Sequence, residues 1–127
     1  MNRTFVPLAA IGLVAALSSF ACGPGRSSSP QVVAGADSAA GKVAITHYGC
    51  GSCHVIPGIK GAVALVGPPL LHWGRRTYVA GKLANTPDNL ETWLENPQAV
   101  WPGNDMPNLH VSPTDARNIA AYLDSLS

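Results

Sequence analysis

Cys50-Gly51-Ser52-Cys53-His54 puts two thiols and an imidazole within five residues, and no other stretch of the chain constrains its fold as strongly. Two common uses of a C-x-x-C pair are a disulfide redox couple and half of a structural zinc site. The first belongs in a βαβ pattern, and the second needs another ligand pair at similar spacing. The chain has 3 cysteines, the third being Cys22 near the N-terminus, so no second pair is available, and no βαβ pattern surrounds the motif.

The remaining use is attachment of haem. In C-x-x-C-H the thiols form thioethers with the porphyrin vinyls and the adjacent imidazole reaches the iron. Two intervening residues let the thiols span one edge of the macrocycle, while a histidine directly after the second thiol brings its ring onto one face. One covalent haem c is therefore expected, fastened by Cys50 and Cys53 and ligated by His54. The sequence has 2 methionines, Met1 and Met106. Met106 lies in Pro102-Gly103-Asn104-Asp105-Met106-Pro107, a Pro/Gly-rich loop that cannot be a helix interior. A lone methionine usually fills a core, but this setting favours an axial thioether. His47, His72 and His110 are the competing ligands, His110 first among them because it shares the loop.

Covalent haem attachment in bacteria takes place outside the cytoplasm, and the N-terminus fits that route. Arg3 precedes an uncharged apolar run from Phe5 to Phe20, read as a signal peptide over residues 1–21. The run is short for a membrane span, which takes about 20 predominantly apolar residues. Cys22 and the small, polar residues after it resemble a bacterial lipoprotein start, with Ser19 where the lipobox usually has leucine. Residues 22–38 read as a flexible tether, lipidated at Cys22 or carrying an unmodified thiol there, and residues 39–127 as the folded domain.

A domain of about 90 residues buries a limited share of its surface, so a large apolar ligand at its centre adds stability. The formal net charge of +1 gives no footprint for nucleic acid. Removing the signal takes Arg3 away and leaves the chain formally neutral. Helix signals are local and clear. A first helical pattern begins near Ser38 or Gly41. Thr86-Pro87 supplies an N-cap with proline at the first helical position, ahead of an apolar stripe at Leu90, Trp93 and Leu94, and that helix should end at Asn96. Ser112-Pro113-Thr114-Asp115 starts a last helix the same way, with Ile119, Tyr122, Leu123 and Leu126 on one side to pack across residues 41–48. No segment alternates over several residues. The expected fold is all-α, three to four short helices wrapped around one covalently attached haem.

These segments together resemble a class I monohaem cytochrome c. Gly41-Lys42-Val43-Ala44-Ile45 before Gly49-Cys50 is similar to the family's first helix, with Ile45 where an aromatic is usual. Gly67-Pro68-Pro69-Leu70 resembles the Gly-Pro-x-Leu segment, which implies that the Pro68 carbonyl accepts the proximal imidazole's N–H. Trp73-Gly74-Arg75-Arg76-Thr77 is similar to the stretch whose arginine lies near a haem propionate, implying Arg75; an ordinary solvated arginine is the alternative. Leu94-Glu95-Asn96-Pro97, Pro102-Gly103 and Met106 resemble the mitochondrial-type Met loop, and Trp93 falls where that family has a tyrosine beside the axial sulfur. Tyr78-Val79-Ala80-Gly81-Lys82-Leu83-Ala84-Asn85-Thr86-Pro87 is also similar to cytochrome domains fused to subunit II of haem-copper oxidases.

The resemblance implies an electron-transfer protein rather than an enzyme. It would carry electrons on the extracytoplasmic face of a membrane by outer-sphere transfer, with His/Met axial ligation and a relatively high potential. The implied partners are a quinol-oxidising complex and a terminal oxidase or reductase. Gly51, Ser52, Gln98, Ala99, Val100, Trp101 and Asn104 surround the motif and Met loop without charge, so a largely apolar docking face is expected. A haem-based sensor whose methionine leaves the iron, and an electron-entry subunit of a larger oxidoreductase, are the other two readings.

Overall fold

The computed structural model describes residues 31–127; the expected signal segment, Cys22 and the tether up to residue 30 lie outside the described residues. The chain runs through helix α1 (Ser38–His47), a 3-10 turn at Cys50–Ser52, another at Trp73–Arg75, strands β1 (Tyr78–Val79) and β2 (Leu83–Ala84), then helices α2 (Pro87–Glu95), α3 (Pro97–Val100) and α4 (Pro113–Asp124). Among the described residues no helix is long and apolar enough to cross a membrane.

Each helix starts where a side-chain oxygen satisfies free N–H groups. Asp37 accepts from the Ala39 and Ala40 amides at 2.8 and 3.1 Å. Thr86 accepts from Asn89 N at 3.3 Å, and Ser112 from Asp115 N at 3.1 Å, each with proline at the first helical position. The α2 helix stops at Asn96 because the next residue is Pro97; Asn96 then caps α3 by accepting from Ala99 N at 3.1 Å.

The α1 and α4 helices form the principal packing pair, burying Ala44 and Ile45 against Ala116, Ile119, Ala120 and Leu123. Gly41 sets how closely they approach. A Cβ there would lie 2.0 Å from the Asn118 carbonyl oxygen, so only glycine lets the two backbones meet. A polar knot reinforces the crossing: Asp115 accepts from the Tyr48 hydroxyl and from the Ser112 hydroxyl, both at 2.8 Å. These two bonds hold the Asp115 carboxyl below its usual pKa. Farther along α4, Tyr122 donates to the Pro57 carbonyl at 2.7 Å and ties the helix to the loop after the motif.

Two features differ from the expectation. An antiparallel hairpin pairs Tyr78 with Ala84 and Val79 with Leu83. Its turn takes two left-handed residues, Ala80 at φ 50° and Gly81 at φ 67°, the conformation that suits the twist of paired strands. The end of the expected tether is also pinned to the domain. Gln31 Nε2 donates to the Asn85 carbonyl at 2.8 Å, Val33 packs on the core, and the Asp37 amide donates to Asn118 Oδ1 at 2.8 Å.

Asp124 ends α4 at 2 % exposure, and its Oδ2 has no hydrogen-bond partner. Burial alone pushes its pKa up to about 6. The unfolded chain's carboxyl titrates near ~3.9, so between those values the folded state binds the extra proton and stability falls as pH rises. Asp124→Asn should therefore gain stability relative to the parent from pH 4 to pH 7 and level off above, as read by denaturant unfolding at each pH.

Candidate functional site

The motif forms one turn. Gly49, at φ 70°, redirects the chain out of α1, and the Cys50 carbonyl accepts from the amides of Cys53 at 3.2 Å and His54 at 3.0 Å. Both thiols and the imidazole are thereby presented by the same short backbone arc. Burial pushes the Cys50 thiol pKa up, whereas a redox dithiol needs its nucleophilic sulfur pulled down toward thiolate. Among the described residues no three His, Cys, Asp or Glu side chains gather as a metal cluster, so a zinc site has no second pair in space either.

His54 is held from two sides. Its Nδ1 lies 2.7 Å from the Pro68 carbonyl oxygen, which accepts the ring N–H and leaves Nε2 free to bind a metal. Its ring also lies against Gly67, where a Cβ would come within 2.4 Å of His54 Cε1. The segment carrying Gly67 and Pro68 is fixed by backbone bonds from Gly67 N to Cys53 O and from Leu70 N to Val55 O, both 2.8 Å.

Cys50, Cys53, His54 and Met106 all line a single cavity of about 500 Å³, within the range of sites that enclose an organic cofactor. Its apolar walls come from three helices: Ile45 of α1, Leu90 and Leu94 of α2, and Ile119 and Leu123 of α4. Pro68 and Trp93 line it too. Arg75 is exposed and absent from the wall, which carries Arg76 instead. His47, His72 and His110 are exposed and none lines the cavity.

Arg76 and Trp73 supply polar groups that the sequence reading did not assign. The Trp73 indole N–H is buried and lacks a partner. The Arg76 guanidinium stacks 5.2 Å from the Trp73 ring centroid, donates to the Pro69 carbonyl, and has its pKa drawn down by burial. Among the described residues no carboxylate pairs with it; the ion pair present is Arg117–Glu91 at 3.4 Å. An unpartnered indole donor and a half-buried cation on one wall are the groups that the two carboxylates of haem require. Apolar walls, adjacent thiols, a fixed imidazole and these donors together fit haem. Tandem arginines signalled this wall, but only the 3-10 turn at Trp73–Arg75 decides which of them faces inward.

The Met106 loop is laced to α3. Asn104 Oδ1 accepts from Met106 N at 2.8 Å, and Gln98 Nε2 donates to Met106 O at 2.9 Å.

Substituting Gly67→Ala should drive the new methyl into the His54 ring and loosen its bond to Pro68. A loss of about 1–3 kcal/mol in stability of the haem-loaded protein is expected, with a disturbed low-spin absorption spectrum; an unchanged spectrum and unfolding midpoint would contradict this account of Gly67.

A family model described as Cytochrome c matches residues 38–127. The chain is similar to three proteins named cytochrome c oxidase subunit 2. The one from Alkalihalophilus pseudofirmus is 36% identical over 87 residues, 68% of this chain and 25% of that protein. Those from Bacillus subtilis and another Bacillus are 36% and 32% identical, covering 58% and 65% of this chain but 21% and 24% of theirs. The chain thus spans about a quarter or less of the length of these relatives. No solved structure matches it significantly.

Proposed function

Because the chain belongs to the cytochrome c family, we propose that it is an exported single-haem carrier that passes electrons between membrane-associated respiratory complexes, with His54 and Met106 as axial ligands. Its cofactor is covalently bound haem c, and its fold is the class I cytochrome c fold. The observation that carries the ligand assignment is that His54, its Nδ1 spoken for by Pro68, and Met106 line the same cavity as both thiols.

When bound, haem supplies a one-electron couple; the residues do the rest. Cys50 and Cys53 hold it by thioethers, so it cannot dissociate. The Pro68 carbonyl fixes the orientation and tautomer of His54. Trp73 and Arg76 would donate to its carboxylates, and the apolar wall of Ile45, Leu90 and Ile119 would keep water from it. Thioether ligation and a dry site favour the reduced state and raise the potential. No substrate bond is made or broken.

The likeness to proteins named cytochrome c oxidase subunit 2 supports a terminal oxidase complex as electron acceptor; a quinol-oxidising complex is the proposed donor, on the outer face of a membrane. Co-purification with an oxidase would mark the chain as an electron-entry subunit, and a free protein would mark it as a shuttle. Lipidation of Cys22 is the proposed anchor.

The test is expression of the full chain beside haem-maturation machinery. The mature mass should include one haem with Cys50 and Cys53 blocked, and should report any lipid on Cys22. Met106→Ala should lower the potential and open the ferrous form to carbon monoxide, which the parent should not bind. A colourless product with free thiols would sink the proposal, and carbon monoxide binding by the parent would favour the sensor reading.

The cavity rim supports apolar docking. Val66, Tyr78 and Trp101 line the cavity while remaining 80, 59 and 42 % exposed. The charges beside them are few: Lys82, stacked 4.2 Å from the Trp101 ring centroid, the exposed Asp105 and the half-buried Arg76. With so few charges to steer encounter, electron transfer to the partner should vary little with ionic strength. A steep fall in rate on adding salt, measured by stopped flow, would count against this face.

A further inference from the structure

Gln98 sits on α3, does not line the cavity, and nonetheless makes three hydrogen bonds to the loop that carries Met106. Its Nε2 donates to the carbonyls of Asn104 and Met106, both at 2.9 Å, and its Oε1 accepts from Gly103 N at 3.0 Å. Asn104 returns the arrangement: its Nδ2 donates to the carbonyls of Pro97 at 3.0 Å and Trp101 at 2.6 Å, while its Oδ1 takes the Met106 amide at 2.8 Å. Both backbone polar groups of Met106 are therefore held by side-chain amides. Loop 101–107 has no helix or strand of its own, so the position of the Met106 side chain is set by these bonds.

We propose that Gln98 is a positioning residue that latches the Met106 loop and so controls how readily the thioether yields its place to an outside ligand. The inference rests on Met106 being an axial ligand. An amide suits the position because it donates and accepts at once. A carboxylate keeps only the bond from Gly103 and turns negative charge toward two carbonyls; an aliphatic side chain keeps none of the three.

The experiment uses the full, haem-loaded chain as parent, Gln98→Leu, Gln98→Glu and Gln31→Leu. The last removes a bond of the same type, from Gln31 to the Asn85 carbonyl, that does not involve the loop. Ferric protein is titrated with imidazole while the iron–thioether charge-transfer absorption is followed, and amide hydrogen exchange is read at Gly103 and Met106. Gln98→Leu should bind imidazole about tenfold more tightly and exchange faster at Gly103. Gln98→Glu should also bind imidazole more tightly but keep slow exchange at Gly103. Gln31→Leu should match the parent in both. Parent-like imidazole affinity in both Gln98 variants, or an equal rise in Gln31→Leu, overturns the latch while leaving Met106 ligation intact. A parent without the thioether band overturns the ligation and the latch together.

Discussion

The domain is arranged around one apolar cavity, and the largest apolar residues of its helical core also form the cavity walls. Ile45, Leu90, Leu94, Ile119 and Leu123 are buried core positions and cavity lining at once. Fold and site are therefore one construction. A domain of about 90 residues has little interior to spare, and here that interior is divided between helix contacts and a cofactor that is itself largely apolar. Hydrophobic burial supplies most of the stability, and the one ion pair among the described residues, between a half-exposed Arg117 and Glu91, adds little to it.

What the sequence made legible follows from how local each signal was. Thr86-Pro87 and Ser112-Pro113 state helix starts within two residues, because capping is an interaction between neighbours. The attachment motif is equally local, its two thiols and imidazole being presented by one backbone turn. The hairpin at Tyr78–Ala84 escaped because strands of two residues are too short to display alternation. The docking of residues 31–38 escaped because its bonds, from Gln31 to Asn85 and from Asp37 to Asn118, join residues 54 and 81 positions apart. The choice between Arg75 and Arg76 turns on the register of a 3-10 turn, which no periodic pattern records. Gln98 looked like an uncharged surface residue, and only the return of loop 101–107 over α3 gives its amide three backbone partners.

The two proposed axial ligands, His54 and Met106, differ in how they are supported. His54 is fastened by a covalent neighbour, a carbonyl and a close backbone contact at Gly67, all acting on the ring or the residue beside it. Met106 is supported one step removed, through the backbone of its loop. Rigidity on one face and adjustability on the other is the division expected when one ligand belongs to the anchoring motif and its counterpart arrives from a distant loop.

The contact of Gly41 with Asn118 has a consequence for what the crossing tolerates. A side chain at residue 41 would push α4 off α1, because a Cβ there meets the Asn118 backbone at 2.0 Å. Ile45 and Ile119 line the cavity from those same two helices and would part with them. One methyl group, added where nothing faces the cavity, would thus unseal it to solvent from the far side.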